Sequence, residues 1–365
     1  MTKLFFKMGV MVLPLMLPAC EGAGEQNATV SPEKDPLNVV FMIGDGMGVG
    51  QLTTMFYYKD GASAFEDFKE VGFINTSSAS NKVTDSAGAG TAFATGQKSF
   101  NRGLGLDMDS MPVPSILSVL KSQGYQTGLV SVSSITHATP AAFYAKVTDR
   151  DMEEEIAEQL VDANLDFFAG GGLSFFNKRN DGRDLFEELV ALGYRMDSVQ
   201  VGSVGDVGVP YGYLLADGGL EPRHKGRGDF LPRATQAALQ RLAAAEKGFF
   251  LMVEGSYIDW AGHAKDKDFL LAEMMDFEET LAYVIDFVKS DGNTLLIVTG
   301  DHETGGVSVG KGKSIDEVEV YFNTDQHTAD LVPVFAMGPG AENFKGFYQN
   351  NDIFHKILRS LGADQ

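Results

Sequence analysis

The sequence has one cysteine in 365 residues, Cys20, so no disulfide within the chain can brace it and its core must stand by packing alone. Basic residues are scarce. Lys and Arg number 29 against 50 Asp and Glu, a formal net charge of −21. That field disfavours nucleic acid and anionic membrane surfaces as partners. It does not exclude a phosphorylated small molecule, because bound cations can reverse the field inside one pocket. The apolar run 8–18 is too short for a comfortable membrane span. There is one tryptophan, Trp260, and no internal repeat or low-complexity tract. What the chain does have is length and an ordinary apolar share of 44%, enough for a large core in one large domain or two smaller ones.

The first twenty residues read as a targeting segment. Lys3 and Lys7 give its positive end, and the apolar run ends in Leu17-Pro18-Ala19-Cys20. That ending resembles a bacterial lipobox. The resemblance implies a lipidated Cys20, membrane attachment through it, and an extracytoplasmic location, either periplasm or outer cell surface. Residues 21–36 are polar and rich in Gly, Glu, Asn and Pro, and read as a flexible tether. Residues 37–365 remain as the folded part.

Within it, apolar runs alternate with helical patterns. Strands are expected at 37–43, 72–76, 126–133, 165–169, 248–253, 293–298 and 331–337, the last being the final good strand. Helices are expected at 49–58, from Ser86 onward, and at 114–123, 151–160, 181–192, 231–245, 267–289 and 352–361. Residues 194–228 read as short strands and loops. The alternation predicts an α/β fold with a central, mostly parallel sheet and helices on both faces. Ligands of such sheets bind outside the carboxyl ends of the strands. The strands ending at Asp45, Glu254 and Asp301 each deliver an acid to that edge. Buried acids are costly unless paired with cations, so several on one edge point to metal ions.

Four of the six histidines, His137, His263, His302 and His327, fall in the same loops, whereas His224 and His355 do not. Asp259 and His263 have the spacing of two ligands on one face of a helical turn. Mixed Asp/His sets suit zinc, and oxygen sets with Thr, Asp and Glu suit magnesium. In Val83-Thr84-Asp85-Ser86-Ala87-Gly88-Ala89-Gly90, small residues let a helix begin close to neighbouring backbone with Ser86 near its N-terminus. Unpaired N–H groups and the helix dipole favour an anion there, a phosphate above all.

Together these motifs resemble the alkaline phosphatase family: Phe41-Met42-Ile43-Gly44-Asp45-Gly46-Met47-Gly48, Thr84-Asp85-Ser86-Ala87, His137-Ala138-Thr139-Pro140, Val253-Glu254-Gly255, Ile258-Asp259 with His263, and Thr299-Gly300-Asp301-His302. Their order matches too. The resemblance implies a three-layer sandwich in one catalytic domain, and hydrolysis of small phosphate monoesters through a phosphoserine. It makes Ser86 the nucleophile and Arg150 a bidentate grip on phosphate. It assigns one zinc to Asp259, His263 and His327, and a second to Asp45, Asp301 and His302. Magnesium would take Asp45, Thr139 and Glu254. The cofactors implied are thus two zinc ions and one magnesium ion.

The best-known bacterial pattern has Asp and Lys where His137 and Trp260 stand; other members resemble this His/Trp pairing. His137 and Trp260 are therefore expected at the substrate, His137 touching phosphate or a nearby water. A homodimer is usual in the family, although the stretch between His302 and His327 is shorter than in many members. A phosphodiesterase of the same superfamily is the nearest alternative, but such enzymes commonly lack the magnesium ligands. A phosphate-binding lipoprotein without turnover is another, and it could dispense with the nucleophile.

Overall fold

The run Val39-Val40-Phe41-Met42-Ile43 has no polar face, and in the fold it needs none. Its side chains alternate between two apolar cores, with Val39, Phe41 and Ile43 in one and Val40 and Met42 in the other. The computed structural model describes residues 1–2, 4, 37–205 and 208–363. Cys20, the lipobox and the tether lie outside these residues.

Strand β1 (Asn38–Gly44) leads to α1 (Val49–Tyr58), β2 (Glu70–Asn75), α2 (Ser86–Thr95) and α3 (Ile116–Ser122). Next come β3 (Gln126–Ser134), α4 (Ala138–Ala141), α5 (Glu153–Ala163), β4 (Phe167–Gly171), α6 (Leu173–Asn177) and α7 (Leu185–Ala191). Then follow β5 (Arg195–Asp197), β6 (Tyr211–Leu214), α8 (Phe230–Leu242), β7 (Phe249–Gly255), α9 (Tyr257–Ala264) and α10 (Lys267–Asp291). The rest is β8 (Thr294–Gly300), β9 (Glu303–Thr304), β10 (Val307–Lys311), β11 (Val318–Phe322), β12 (His327–Thr328), β13 (Val332–Met337), β14 (Gly346–Gln349) and α11 (Asp352–Leu361). All of these lie in one compact unit, Pro36–Gln365.

Ten strands form the main sheet in the order β14-β2-β13-β8-β1-β7-β3-β4-β6-β5. Only β13 runs against its neighbours, β2 and β8; every other pair is parallel. One face packs under α2, α3, α5, α7 and α11, through Phe93, Leu117, Ile156, Leu189 and Ile357. The other packs under α1, α8 and α10, through Leu52, Leu239 and Phe277. This is the expected three-layer α/β architecture.

The register at the centre places the site. Gly44 of β1 pairs with Gly255 of β7 on one side and with Gly300 of β8 on the other. The three strands therefore stop at one level, and Asp45, Glu254 and Asp301 emerge together. The turn after β1 folds back over these ends. A Cβ on Gly300 would lie 2.3 Å from the Met47 carbonyl oxygen, so the close approach requires glycine.

Several expected boundaries move for physical reasons. The strand expected at 165–169 runs on to Gly171, where a Cβ would lie 1.9 Å from the Gly218 carbonyl oxygen; the glycines serve close backbone contact and do not end the strand. The helix expected from residue 181 begins at Leu185, because the Asp184 carboxylate caps it by accepting from Glu187 N–H. The helix expected at 151–160 spans Glu153–Ala163. The strand ending at Met337 is not the last, since β14 pairs parallel with β2 at the sheet edge. The β10–β11 hairpin, the β9–β12 pair and α6 were not expected.

Candidate metal centre

Asp45 heads the turn after β1, its N–H donating to the Gly255 carbonyl at 3.2 Å. Gly46 follows at φ +74°, and a Cβ there would lie 2.7 Å from Asp259 Cα. Its N–H donates to Asp301 Oδ1 at 3.0 Å, and His302 N–H donates to the same oxygen at 2.9 Å. Asp301 Oδ2 and both oxygens of Asp45 are then buried without a hydrogen-bond partner among the described residues. Burial, before the neighbouring carboxylates, raises Asp45 well above the usual carboxylate range and pushes Asp301 up to about 7.

His302 completes this group. The Thr304 hydroxyl donates to Asp259 Oδ1, so its oxygen accepts from His302 Nδ1–H at 3.1 Å. That chain assigns the tautomer. His302 Nε2 carries a lone pair, and it faces Asp301 Oδ2 at 3.2 Å and Asp45 Oδ1 at 3.4 Å. Burial keeps the ring neutral by lowering its pKa. Three ligand atoms thus surround one point, and among the described residues no hydrogen bond satisfies the oxygens of Asp45 or Asp301 Oδ2.

The same logic governs the next group. His263 Nδ1 donates to the Asp325 carbonyl at 2.6 Å, and His327 Nδ1 donates to the Thr84 carbonyl at 2.9 Å. Their Nε2 atoms are 3.2 Å apart, and lie 3.3 and 3.4 Å from Asp259 Oδ1. Backbone carbonyls behind a ring fix which nitrogen is offered, as in metal-binding histidines. Without a metal ion, Asp259 raises His263 to about 9. The His327 ring stacks on His302 with centroids 3.6 Å apart, so the two groups adjoin. The ligand atoms of Asp259, His302 and His327 also fall within reach of one another.

A third group shares Asp45. Its ligand atoms lie with those of His137 and Glu254. Glu254 Oε2 accepts from the Ser131 hydroxyl at 2.6 Å, while Oε1 is buried without a hydrogen-bond partner among the described residues. The Thr139 hydroxyl, in the first turn of α4, is buried and likewise lacks one. His137 caps α4 in sequence; burial, then Arg150, pushes its pKa down to about 3.

Ser86 opens α2, whose N-cap Asp85 accepts from Gly88 N–H at 2.9 Å. Every residue of α2 is buried, and Gly90 lets it approach α4, where a Cβ would meet Ala142 Cβ at 3.0 Å. Ser86 Oγ lies 3.4 Å from the His302 Nε2 lone pair. Arg150 makes two long contacts, Nη1 to Asp85 Oδ2 at 3.4 Å and Nη2 to His137 Nε2 at 3.2 Å. Trp260 stacks on Tyr257 at 4.2 Å, turns an edge of the pair toward His137 at 6.2 Å, and is 40% exposed.

All twelve side chains named from the sequence therefore converge, and His224 and His355 lie elsewhere, against Phe269 and Phe354. Sequence reading missed the supports. Glu303 accepts from Gln51 Nε2 at 2.8 Å, Val307 N–H at 2.9 Å, Gly306 N–H at 3.1 Å and the Thr328 hydroxyl, tying α1 to the β9–β12 pair that carries His327. Its place beside His302 was the one available signal. Ser131 and Thr304 were also missed, since a hydroxyl within a strand or turn carries no pattern of its own.

A family model described as alkaline phosphatase matches residues 37–324. Alkaline phosphatase 4 of Bacillus subtilis is 32% identical, over 88% of this chain and 89% of that protein. The alkaline phosphatase of Escherichia coli is 30% identical, over 93% and 89%. The structure of alkaline phosphatase from the Antarctic bacterium TAB5 superposes with a TM-score of 0.88 at 43% identity, over 91% of this chain and 99% of that one. A mutant of that enzyme with a histidine replaced by aspartate has Mg bound in its M3 site; it matches at a TM-score of 0.87 and 43% identity, over the same shares.

His263 in the metal-free fold holds its proton to about pH 9, against 6.5 ordinarily, so its stabilisation is complete below pH 6.5 and lost as pH rises through 9. Asp301, held up to about 7, acts in the same direction at lower pH. Metal-stripped protein should therefore unfold more easily at pH 9 than at pH 6.5. Zinc uptake at pH 7 should release protons, read by calorimetry in buffers of different ionisation enthalpy. Uptake without proton release would contradict the assignment.

Proposed function

The chain belongs to the alkaline phosphatase family and is a phosphomonoesterase, and we propose that it works through a phosphoserine at Ser86 beside two zinc ions and one magnesium ion. The observation that carries this reading is the set of inward-facing acceptors around Ser86, buried and without donors of their own. In this proposal Asp259, His263 and His327 hold one zinc, and Asp45, Asp301 and His302 the other. Asp45, Glu254 and Thr139 would hold magnesium, and the ligand atoms of His137 lie within reach of those of Asp45 and Glu254. The Mg bound in the M3 site of a histidine-to-aspartate mutant of the Antarctic enzyme supports magnesium as a metal this fold can hold. When bound, the metals supply Lewis acidity that lowers the pKa of a serine hydroxyl and stabilises a leaving alkoxide.

The chain's own groups do the rest. The N-terminus of α2 presents a positive dipole end to the phosphoryl group. Arg150, held by only two long contacts, directs its planar fork to two phosphate oxygens. Ser86 Oγ, its hydroxyl proton given up to solvent, then attacks phosphorus in line, the bond to the alcohol oxygen breaks, and the alcohol leaves after taking a proton from water. Water attacks the phosphoserine in turn, releasing phosphate and restoring Ser86. Because the grip is on the phosphoryl group and not the alcohol, a broad range of monoesters is expected. His302 is kept from sequestering its lone pair by the Thr304–Asp259 relay behind it.

We also propose, from Lys3, Lys7 and the Leu17–Cys20 string, that the enzyme is extracytoplasmic and anchored by lipid on Cys20.

Ser86→Ala should lower monoester turnover about a thousandfold or more while zinc and magnesium content stays intact. Acid-quenched wild type should carry phosphate on the Ser86 peptide. Turnover near the wild-type level would sink the assignment. Cys20→Ala should move the protein from the membrane to the soluble fraction; unchanged membrane attachment would contradict the anchor.

A further inference from the structure

Arg102 occupies a backbone conformation that an arginine disfavours. It is third in the turn 100–103, closed by Gly103 N–H to the Phe100 carbonyl at 3.3 Å, with φ +73°. Glycine is the residue suited to a positive φ at that position. A long side chain persists in such a region only where its surroundings over-determine it.

The surroundings of Arg102 do so. Its Nε donates to Asp149 Oδ2 at 3.0 Å and its Nη2 to Asp149 Oδ1 at 2.7 Å, a bidentate fork. Nη2 also reaches Asp151 Oδ2 at 2.5 Å. Asp149 and Asp151 are the two sequence neighbours of Arg150. The Arg102 N–H donates to Asp85 Oδ2 at 3.0 Å, the oxygen that Arg150 Nη1 approaches. Asp85 in turn caps α2 at Ser86. One arginine thus joins the cap of the nucleophile's helix to both sides of Arg150.

We propose that Arg102 is a positioning residue, which holds the Arg150 segment so that its guanidinium is set for the phosphoryl group before substrate arrives. This rests on Arg150 as the phosphate ligand, as read above. Pre-setting matters because a free guanidinium must otherwise be ordered on binding. The ion pairs themselves add little to folding: the Arg102, Asp149 and Asp151 side chains are 48%, 45% and 78% exposed, and exposed pairs are screened. Their effect belongs to binding.

Arg102→Gly is the clean test, since glycine takes this φ without strain and its fold should be at least as stable to heat. KM for an aryl phosphate and Ki for inorganic phosphate should both rise about three- to tenfold, the range for ordering one rotamer-rich side chain, with kcat changing less than either. Arg102→Lys keeps the charge but loses the fork, and should recover only part of the loss. Arg150→Ala should raise KM and Ki further, and adding Arg102→Gly to it should change neither again. Unchanged KM and Ki in Arg102→Gly, or an equal effect in the Arg150→Ala background, would overturn the proposal while leaving Arg150's role intact. No change of Ki in Arg150→Ala would overturn that role, and this inference with it.

Discussion

The structure depends on a shortage of hydrogen-bond donors. At one edge of the sheet the fold buries Asp45, Glu254, Asp259 and Asp301. Three histidines are each tied from behind, by the Asp325 carbonyl, the Thr84 carbonyl and the Thr304 hydroxyl. Each of these Nδ1 atoms is used to donate, so each Nε2 points inward and becomes a lone-pair ligand once any proton on it is lost, as His263 must lose the one it holds to about pH 9 without a metal. Burying a single unpaired carboxylate costs several kcal/mol after relaxation. The nearest permanent cation, Arg150, is already shared between Asp85 and His137. Such a cluster is a stable design only for cations taken from solution, and the fold's other features follow from holding it open.

The glycines at the strand ends are one such feature. Gly44, Gly255 and Gly300 lie side by side, and Gly46 takes a positive φ against Asp259, so three acids on three strands share one small volume. Glu303 is another. It spends both oxygens on backbone and side-chain donors, and so fixes the β9–β12 pair from which His327 reaches across to α9. The Arg102 network is the analogue on the phosphate side, setting an arginine by its neighbours. The chain's excess negative charge is compatible with an anionic substrate because charge is arranged locally: Ser86 opens α2, the Arg150 guanidinium reaches the Asp85 cap of that helix, and His302 of the proposed metal site lies against Ser86.

Most of the site was legible because its residues sit where sequence pattern is strongest. An apolar run that ends in glycine and an acid announces a buried strand and its edge, which located Asp45, Glu254 and Asp301. The β10–β11 hairpin was not legible, since Val307–Lys311 and Val318–Phe322 are only half buried and show no continuous apolar run. The pair β9–β12 is two residues long on each side and exists through tertiary pairing alone. The order of the sheet, with β13 reversed between β2 and β8, came from the fold and not from the alternation of elements. The roles of Ser131, Thr304 and Glu303 depend on which oxygen faces which donor, and no spacing encodes that. His137 was expected at phosphate or a nearby water, and it lies both on Arg150 and within reach of Asp45 and Glu254.

The most direct test is anomalous diffraction from crystals grown with zinc and magnesium, recorded at the zinc edge. The account predicts two zinc peaks, one among Asp259, His263 and His327 and one among Asp45, Asp301 and His302, with a lighter ion beside Glu254. Zinc bound elsewhere, with these side chains closing on one another through shared protons, would contradict it.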